Sequence, residues 1–176
     1  MNGKLTRKQI LDMIKVLDKA INLEYNAQRF YANLALTVLK PQCREIFDWL
    51  SDFEGKHYKK LMRIRNNYSA SRQVKGQVPD VKLTNEAEEM AGLFKEVVCM
   101  PAPEILKTAI ENEKISYGYY QRKVTHASDP EVRDTFSQAA EEENMHILVL
   151  QKLLKMIDTG KSITELNKEA IVASLH

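Results

Sequence analysis

Cysteine is nearly missing from this 176-residue chain, and the two present, Cys43 and Cys99, form no Cys-x-x-Cys. That excludes a disulfide framework and a zinc knuckle, and both are expected to be buried, reduced thiols. Glycine and proline are scarce, at six and five, and no stretch alternates polar and apolar residues over a useful length, which speaks against a sheet. Long apolar runs are absent too. The start, "MNGKLTRKQILDMIK", meets Asp and Lys before any signal-peptide core, and no later segment approaches a membrane span, so a cytoplasmic protein without a membrane partner is expected. Nor does one sign of charge dominate: a formal net charge of +2 makes no case for nucleic acid. The densest basic cluster, Lys56, Lys59, Lys60, Arg63 and Arg65, falls near the end of a predicted helix, where cations offset the negative end of the backbone dipole.

The 44% hydrophobic and 28% charged composition suits one helix-rich core, and the length suits a single domain spanning 1–176. Four helical patterns stand out. The first begins at Thr6, which can form a capping box with Gln9, and runs to about Lys40 before Pro41. The second starts near Pro41 and fades around Asn67. A third opens at "PAPE" and continues to about His126. "SDPE" opens the fourth, with Asp129 as cap and Pro130 in the first turn, and Gly160 stops it. The pairs cover 6–67 and 102–159. Between them lies a crossover, 68–101, with a short helix expected at "NEAEEMAGLF"; a capping box from Ser162 to Glu165 predicts a C-terminal helix over 162–174. Short links within pairs and one long link between them predict an all-α four-helix bundle of two antiparallel hairpins.

Each helix has a buried seam, and each seam is interrupted. Steps of three and four from Phe47 give Leu50, Glu54, His57, Leu61 and Ile64; from Phe136 they give Ala139, Glu143, His146, Leu150 and Leu153. The other two helices read Ile10, Ile14, Leu17, Ile21, Glu24, Gln28, Tyr31 and Leu106, Ile110, Glu113, Tyr117, Tyr120. Two seams thus hold Glu-x-x-His and two hold a single Glu, with Glu24 and Glu113 each thirty residues before Glu54 and Glu143.

The halves also superimpose at an offset of 89, pairing Leu17 with Leu106, Ala20 with Ala109, Ile21 with Ile110 and Phe30-Tyr31 with Tyr119-Tyr120. The repeat selects among neighbouring acids: Glu143 recurs as Glu54, whereas Glu142 matches Phe53 and Glu111 matches Asn22. Spacing leaves Tyr31 and Tyr120 open between core packing and a hydrogen bond to a carboxylate. His126 and His176 follow no such pattern and read as surface residues; Trp49, Tyr58 and Met145 read as packing.

Four carboxylates converging in a bundle core would each cost several kcal/mol of desolvation, roughly, before mutual repulsion is counted. No Lys or Arg occupies the seam positions. Two divalent cations would balance four carboxylates with one imidazole each, and an oxygen-rich set with imidazole and no thiolate suits iron or manganese, with zinc a possible occupant. One Glu from each of two helices and a Glu-x-x-His from each of the others is a known ligand set of dimetal bundles.

Through "AINLEYNAQRFY", "FEGKHYKKL", "AIENEKISYGYY" and "DPEVRDTFSQAAEEENMH", the sequence resembles the ferritin-like diiron superfamily, in its rubrerythrin-related branch. The resemblance implies a ferritin-like fold, two iron ions with Glu24 and Glu113 as terminal ligands, Glu54 and Glu143 bridging, and His57 and His146 on one iron each. It implies oxidation of a diferrous centre by peroxide or dioxygen and a homodimer or higher homo-oligomer; Tyr31 and Tyr120, in their seams beyond Glu24 and Glu113, are the candidate catalytic residues. Rubrerythrins proper add a rubredoxin-like iron site with paired Cys-x-x-Cys. None is present here, so a separate electron donor such as a rubredoxin-like protein is expected. They also carry a further Glu one turn after the third-helix ligand; here that position is Ser116. The expected function is peroxide or dioxygen reduction, with a ferroxidase for iron storage and a non-catalytic metal-binding interaction protein as alternatives. Glu142 is a candidate outer contact of the site, a part Phe53 cannot play in the other half.

Overall fold

The Thr6 hydroxyl accepts the Gln9 backbone N–H at 3.3 Å while the Gln9 side chain accepts the Thr6 N–H at 2.8 Å. This capping box starts α1 (Arg7–Thr37) where the sequence placed it. The helix stops before the expected Lys40, as Val38 turns to an extended backbone and closes the last turn onto the Leu34 carbonyl at 3.0 Å. Pro41 opens α2 (Pro41–Ser71), which runs past the expected Asn67. Next comes α3 (Ala102–Val124), closed by His126 and Ala127 N–H groups on the Lys123 carbonyl. Asp129 caps α4 (Pro130–Asp158), accepting from the backbone of Glu131 and Val132.

The structure, a computed structural model, describes residues 6–39, 41–71 and 102–159. The expected "NEAEEMAGLF" and C-terminal helices, Cys99, Gly160 and His176 lie outside these. Among the described residues there is no strand, and no helix is long and apolar enough to cross a membrane.

α1 packs along α2 and α3 along α4, giving two antiparallel hairpins. Cross-links between α2 and α4 run in opposite chain directions: His57 meets Glu142, Lys60 donates to Gln138 at 2.7 Å, and Tyr68 donates to Asp129 at 2.6 Å. The result is a ferritin-like four-helix bundle. Its apolar core divides into two clusters. One contains Phe30, Leu34, Phe47, Leu50, Leu106 and Leu153; the other contains Ile14, Leu17, Ile21, Leu61, Ile64 and Phe136. Full burial of each such side chain contributes about 1.5–3 kcal/mol. These two blocks hold the interrupted seams together between them.

The basic cluster on α2 departs from its expected part. With the helix extending to Ser71, no basic residue lies in its last turn. Arg65 is buried and ion-paired to Asp18 of α1 at 2.9 Å, Lys60 reaches α4, and Lys56 sits 4.8 Å from the Phe53 ring centre. These cations fasten side chains instead of complementing a helix end. His126 is exposed and Cys43 is buried, as expected.

Candidate metal centre

The seam period carries Glu24 of α1, Glu54 and His57 of α2, Glu113 of α3, and Glu143 and His146 of α4 to one level of the bundle. All six are buried. Their donor atoms form two overlapping groups, each with its atoms within 4.8 Å of one another: Glu24, Glu54, His57 and Glu143, and Glu54, Glu113, Glu143 and His146. Glu54 and Glu143 belong to both. Each imidazole turns Nδ1 to the acids. His57 Nδ1 lies 3.2 Å from Glu24, 3.6 Å from Glu54 and 3.8 Å from Glu143. His146 Nδ1 lies 3.2 Å from Glu54, 3.3 Å from Glu113 and 3.9 Å from Glu143.

The two tyrosines left open by their spacing both reach across the hairpin boundary. Tyr31 donates its phenol hydrogen to Glu113, and Tyr120 donates to Glu24, so each hairpin holds the other's acid. Burial first, and next the charge of the acid each one touches, pushes both phenols well above their ordinary value and keeps them protonated.

Packing acids this closely without water shifts their titration. Burial, then the charge of Glu54, pushes Glu24 up to about 8. Burial, then Glu54 and Glu113, pushes Glu143 well above the carboxylate range. For Glu54 burial also acts upward, but the His146 and His57 rings overcome it and hold the group low. Burial alone would discharge the histidines. Instead Glu142, Glu24 and Glu54 push His57 up to about 12, and Glu113 and Glu54 push His146 to about 10. The cluster demands positive charge, and protons are the least costly source available from its own side chains.

A cation fits better than protons do. Both oxygens of Glu54 and Oε1 of Glu143 are buried without a hydrogen-bond partner among the described residues. These are the two acids common to both groups, so the unsatisfied lone pairs point to the middle of the cluster. An unsatisfied buried carboxylate oxygen costs a few kcal/mol, roughly, which ligation of a divalent ion removes. Ser116, buried one turn after Glu113, brings no further carboxylate.

Glu142 stands where an outer contact was expected, and two residues that were not expected extend it. Glu142 touches His57 Nε2 at 2.5 Å, and Gln138 and Lys60 continue that contact outward. The repeat hinted at Glu142 by pairing it with Phe53. Nothing in the spacing of α2 or α4 alone pointed to Gln138 or Lys60.

Four inward carboxylates and two histidines at the waist of a bundle of two antiparallel helix hairpins define a ferritin-like carboxylate protein whose core can hold metal. A rubrerythrin family profile matches residues 15–154, and the chain belongs to the rubrerythrin family. A hypothetical protein from Pyrococcus furiosus shares the fold, with a TM-score of 0.64, 17% identity, and coverage of 85% of this chain and 92% of that one. No match was found among curated proteins.

Proposed function

We propose that this protein is a diiron oxidoreductase that reduces hydrogen peroxide, or dioxygen more slowly, with electrons from a separate donor. The observation that carries this reading is the pair of overlapping donor groups sharing two acids, three of whose buried oxygens have no hydrogen-bond partner among the described residues. In it, Glu24 and His57 hold one iron, Glu113 and His146 hold the other, and Glu54 and Glu143 bridge. When bound, two ferrous ions supply the two electrons that, with two protons, convert one peroxide to two waters.

The chain's own residues prepare that chemistry. Tyr31 and Tyr120 are positioning residues: each retains its proton and orients a terminal carboxylate from the opposite hairpin. The apolar blocks on either side exclude water, which strengthens the field of the acids at the site. Manganese or zinc would satisfy the same donors, but zinc could not cycle electrons. The sequence contains no Cys-x-x-Cys, so the reading takes the donor to be another, rubredoxin-like protein, and the working unit to be a homodimer or larger homo-oligomer.

The test is anaerobic loading with ferrous ion followed by stopped-flow mixing with each oxidant. Two irons per chain, one peroxide consumed per pair, and faster oxidation by peroxide than by dioxygen are expected. A hollow assembly accumulating many ferric ions per chain would instead establish storage. Tight metal binding with no turnover by either oxidant would leave a structural site.

A further inference from the structure

The internal repeat is broken at three positions that all surround the histidines. Counting 89 residues along, Phe53 matches Glu142, Trp49 matches Gln138, and Lys60 matches Val149. Each exchange replaces a polar side chain on one side of the cluster by an apolar one on the other.

Around His57 the three polar members form a chain. His57 Nε2 stands 2.5 Å from Glu142 Oε2, Gln138 Nε2 donates to Glu142 Oε1 at 3.2 Å, and Lys60 Nζ donates to Gln138 Oε1 at 2.7 Å. A cavity of about 10 Å³ lies against His57, Lys60, Thr135 and Glu142. That is room for roughly one water.

Around His146 the counterparts are walls. The Phe53 ring stands edge-on to the imidazole at 5.5 Å between centres, the Trp49 ring at 5.7 Å, and Val149 is buried. His146 Nε2 is buried with no hydrogen-bond partner among the described residues.

We infer that the two metal positions are chemically unequal, with Glu142 a positioning residue that braces His57 alone while Trp49 and Phe53 confine His146 by packing. This inference rests on the dimetal reading above. With Nδ1 of each ring turned to the acids, the remaining proton sits on Nε2. On His57 that proton is donated to a carboxylate, which fixes the tautomer and makes the ligating nitrogen more basic. His146 has its orientation fixed by ring edges and has no acceptor among the described residues. The His57 position therefore binds a divalent ion with help from outside its ligands, and the His146 position binds without it.

Anaerobic titration of the full chain with Co²⁺ tests this, read by the ligand-field bands and by paramagnetically shifted imidazole N–H signals. Glu142 is partly exposed, at 26% of its side chain, so Glu142→Gln and Glu142→Ala are expected to fold, which a circular-dichroism melt verifies. One of the two cobalt affinities should fall about tenfold in the Gln variant and up to about a hundredfold in the Ala variant, with the other unchanged. Only one of the two N–H signals should move. Gln138→Leu, which removes the support from Glu142 at an exposed position, should give a smaller loss at the same metal position. Equal losses at both positions, or none at either, would overturn the inference. A wild-type chain that takes up only one cobalt would remove the diiron reading as well, whereas two cobalts with unaffected variants would remove this inference alone.

Discussion

Zinc titrated into the metal-free chain at pH 7 should expel about three protons or more. At that pH His57, pushed to about 12, and His146, at about 10, each carry one. Glu24, at about 8, carries roughly nine-tenths of one, and Glu143, raised well above the carboxylate range, adds to that count. All four side chains must lose their protons to ligate. At ordinary values the carboxylates would carry none and each imidazole about a quarter, so ordinary ligands would release only about half a proton. Isothermal titration calorimetry in two buffers of different ionisation enthalpy gives the count directly. Release of about two protons or fewer would refute a proton-balanced core. The same shifts set the sign of a pH dependence. Because these four groups are raised, the folded metal-free chain holds more protons than the unfolded chain, and its stability falls as pH rises. For Glu24 the loss runs from the ordinary 4.5 up to about 8, and reaches about 3 kcal/mol by pH 7. The histidine contributions are whole below 6.5 and fade as pH climbs through about 10 and 12. Low-lying Glu54 acts oppositely, its contribution present above 4.5 and lost only toward the acid end. Bound zinc competes with the protons, so between pH 5 and 8 the slope of melting temperature against pH should reverse sign on loading.

Replacing both Glu54 and Glu143 by Ala should abolish paired-metal binding; two metals per chain by elemental analysis in that double variant would remove the bridging assignment. Tyr31→Phe and Tyr120→Phe should each lower metal-free stability by about 2 kcal/mol in urea unfolding, and by similar amounts because their contacts are reciprocal. Asp129→Ala loses both the α4 cap and the Tyr68 contact, so a loss of about 2 kcal/mol is expected, and an unchanged denaturation midpoint would deny the cap its importance. Leu17→Ala, at a fully buried position, should cost about 2–5 kcal/mol by the same measurement.

Helix faces were legible from the amino acids because 3.6-residue periodicity is local, and the four interrupted seams needed only that period to bring six donors to one level. Helix ends were less so. Thr37 rather than Lys40 ends α1, where Val38 turns extended, and the basic residues of α2 looked terminal only while the helix was taken to fade at Asn67. Tyr31 and Tyr120 could not be assigned from spacing, since their partners lie on another hairpin and contact across a bundle depends on how the helices cross. Arg65 was hidden for the same reason: its burial against Asp18 is a property of the α1–α2 pair. The Glu142 contact was half visible in its mismatch with Phe53, but Gln138 and Lys60 become meaningful only once α2 and α4 are side by side.

Each donor group takes three members from one hairpin and one from the other: Glu143 joins the α1–α2 set, and Glu54 joins the α3–α4 set. Neither half of the molecule owns a finished pocket. Ions held by both sets would act as rivets through the seam between the halves, so after a backbone nick between residues 72 and 101 the loaded protein would hold its halves together more tightly than the stripped one, which keeps only its apolar and tyrosine contacts across the seam.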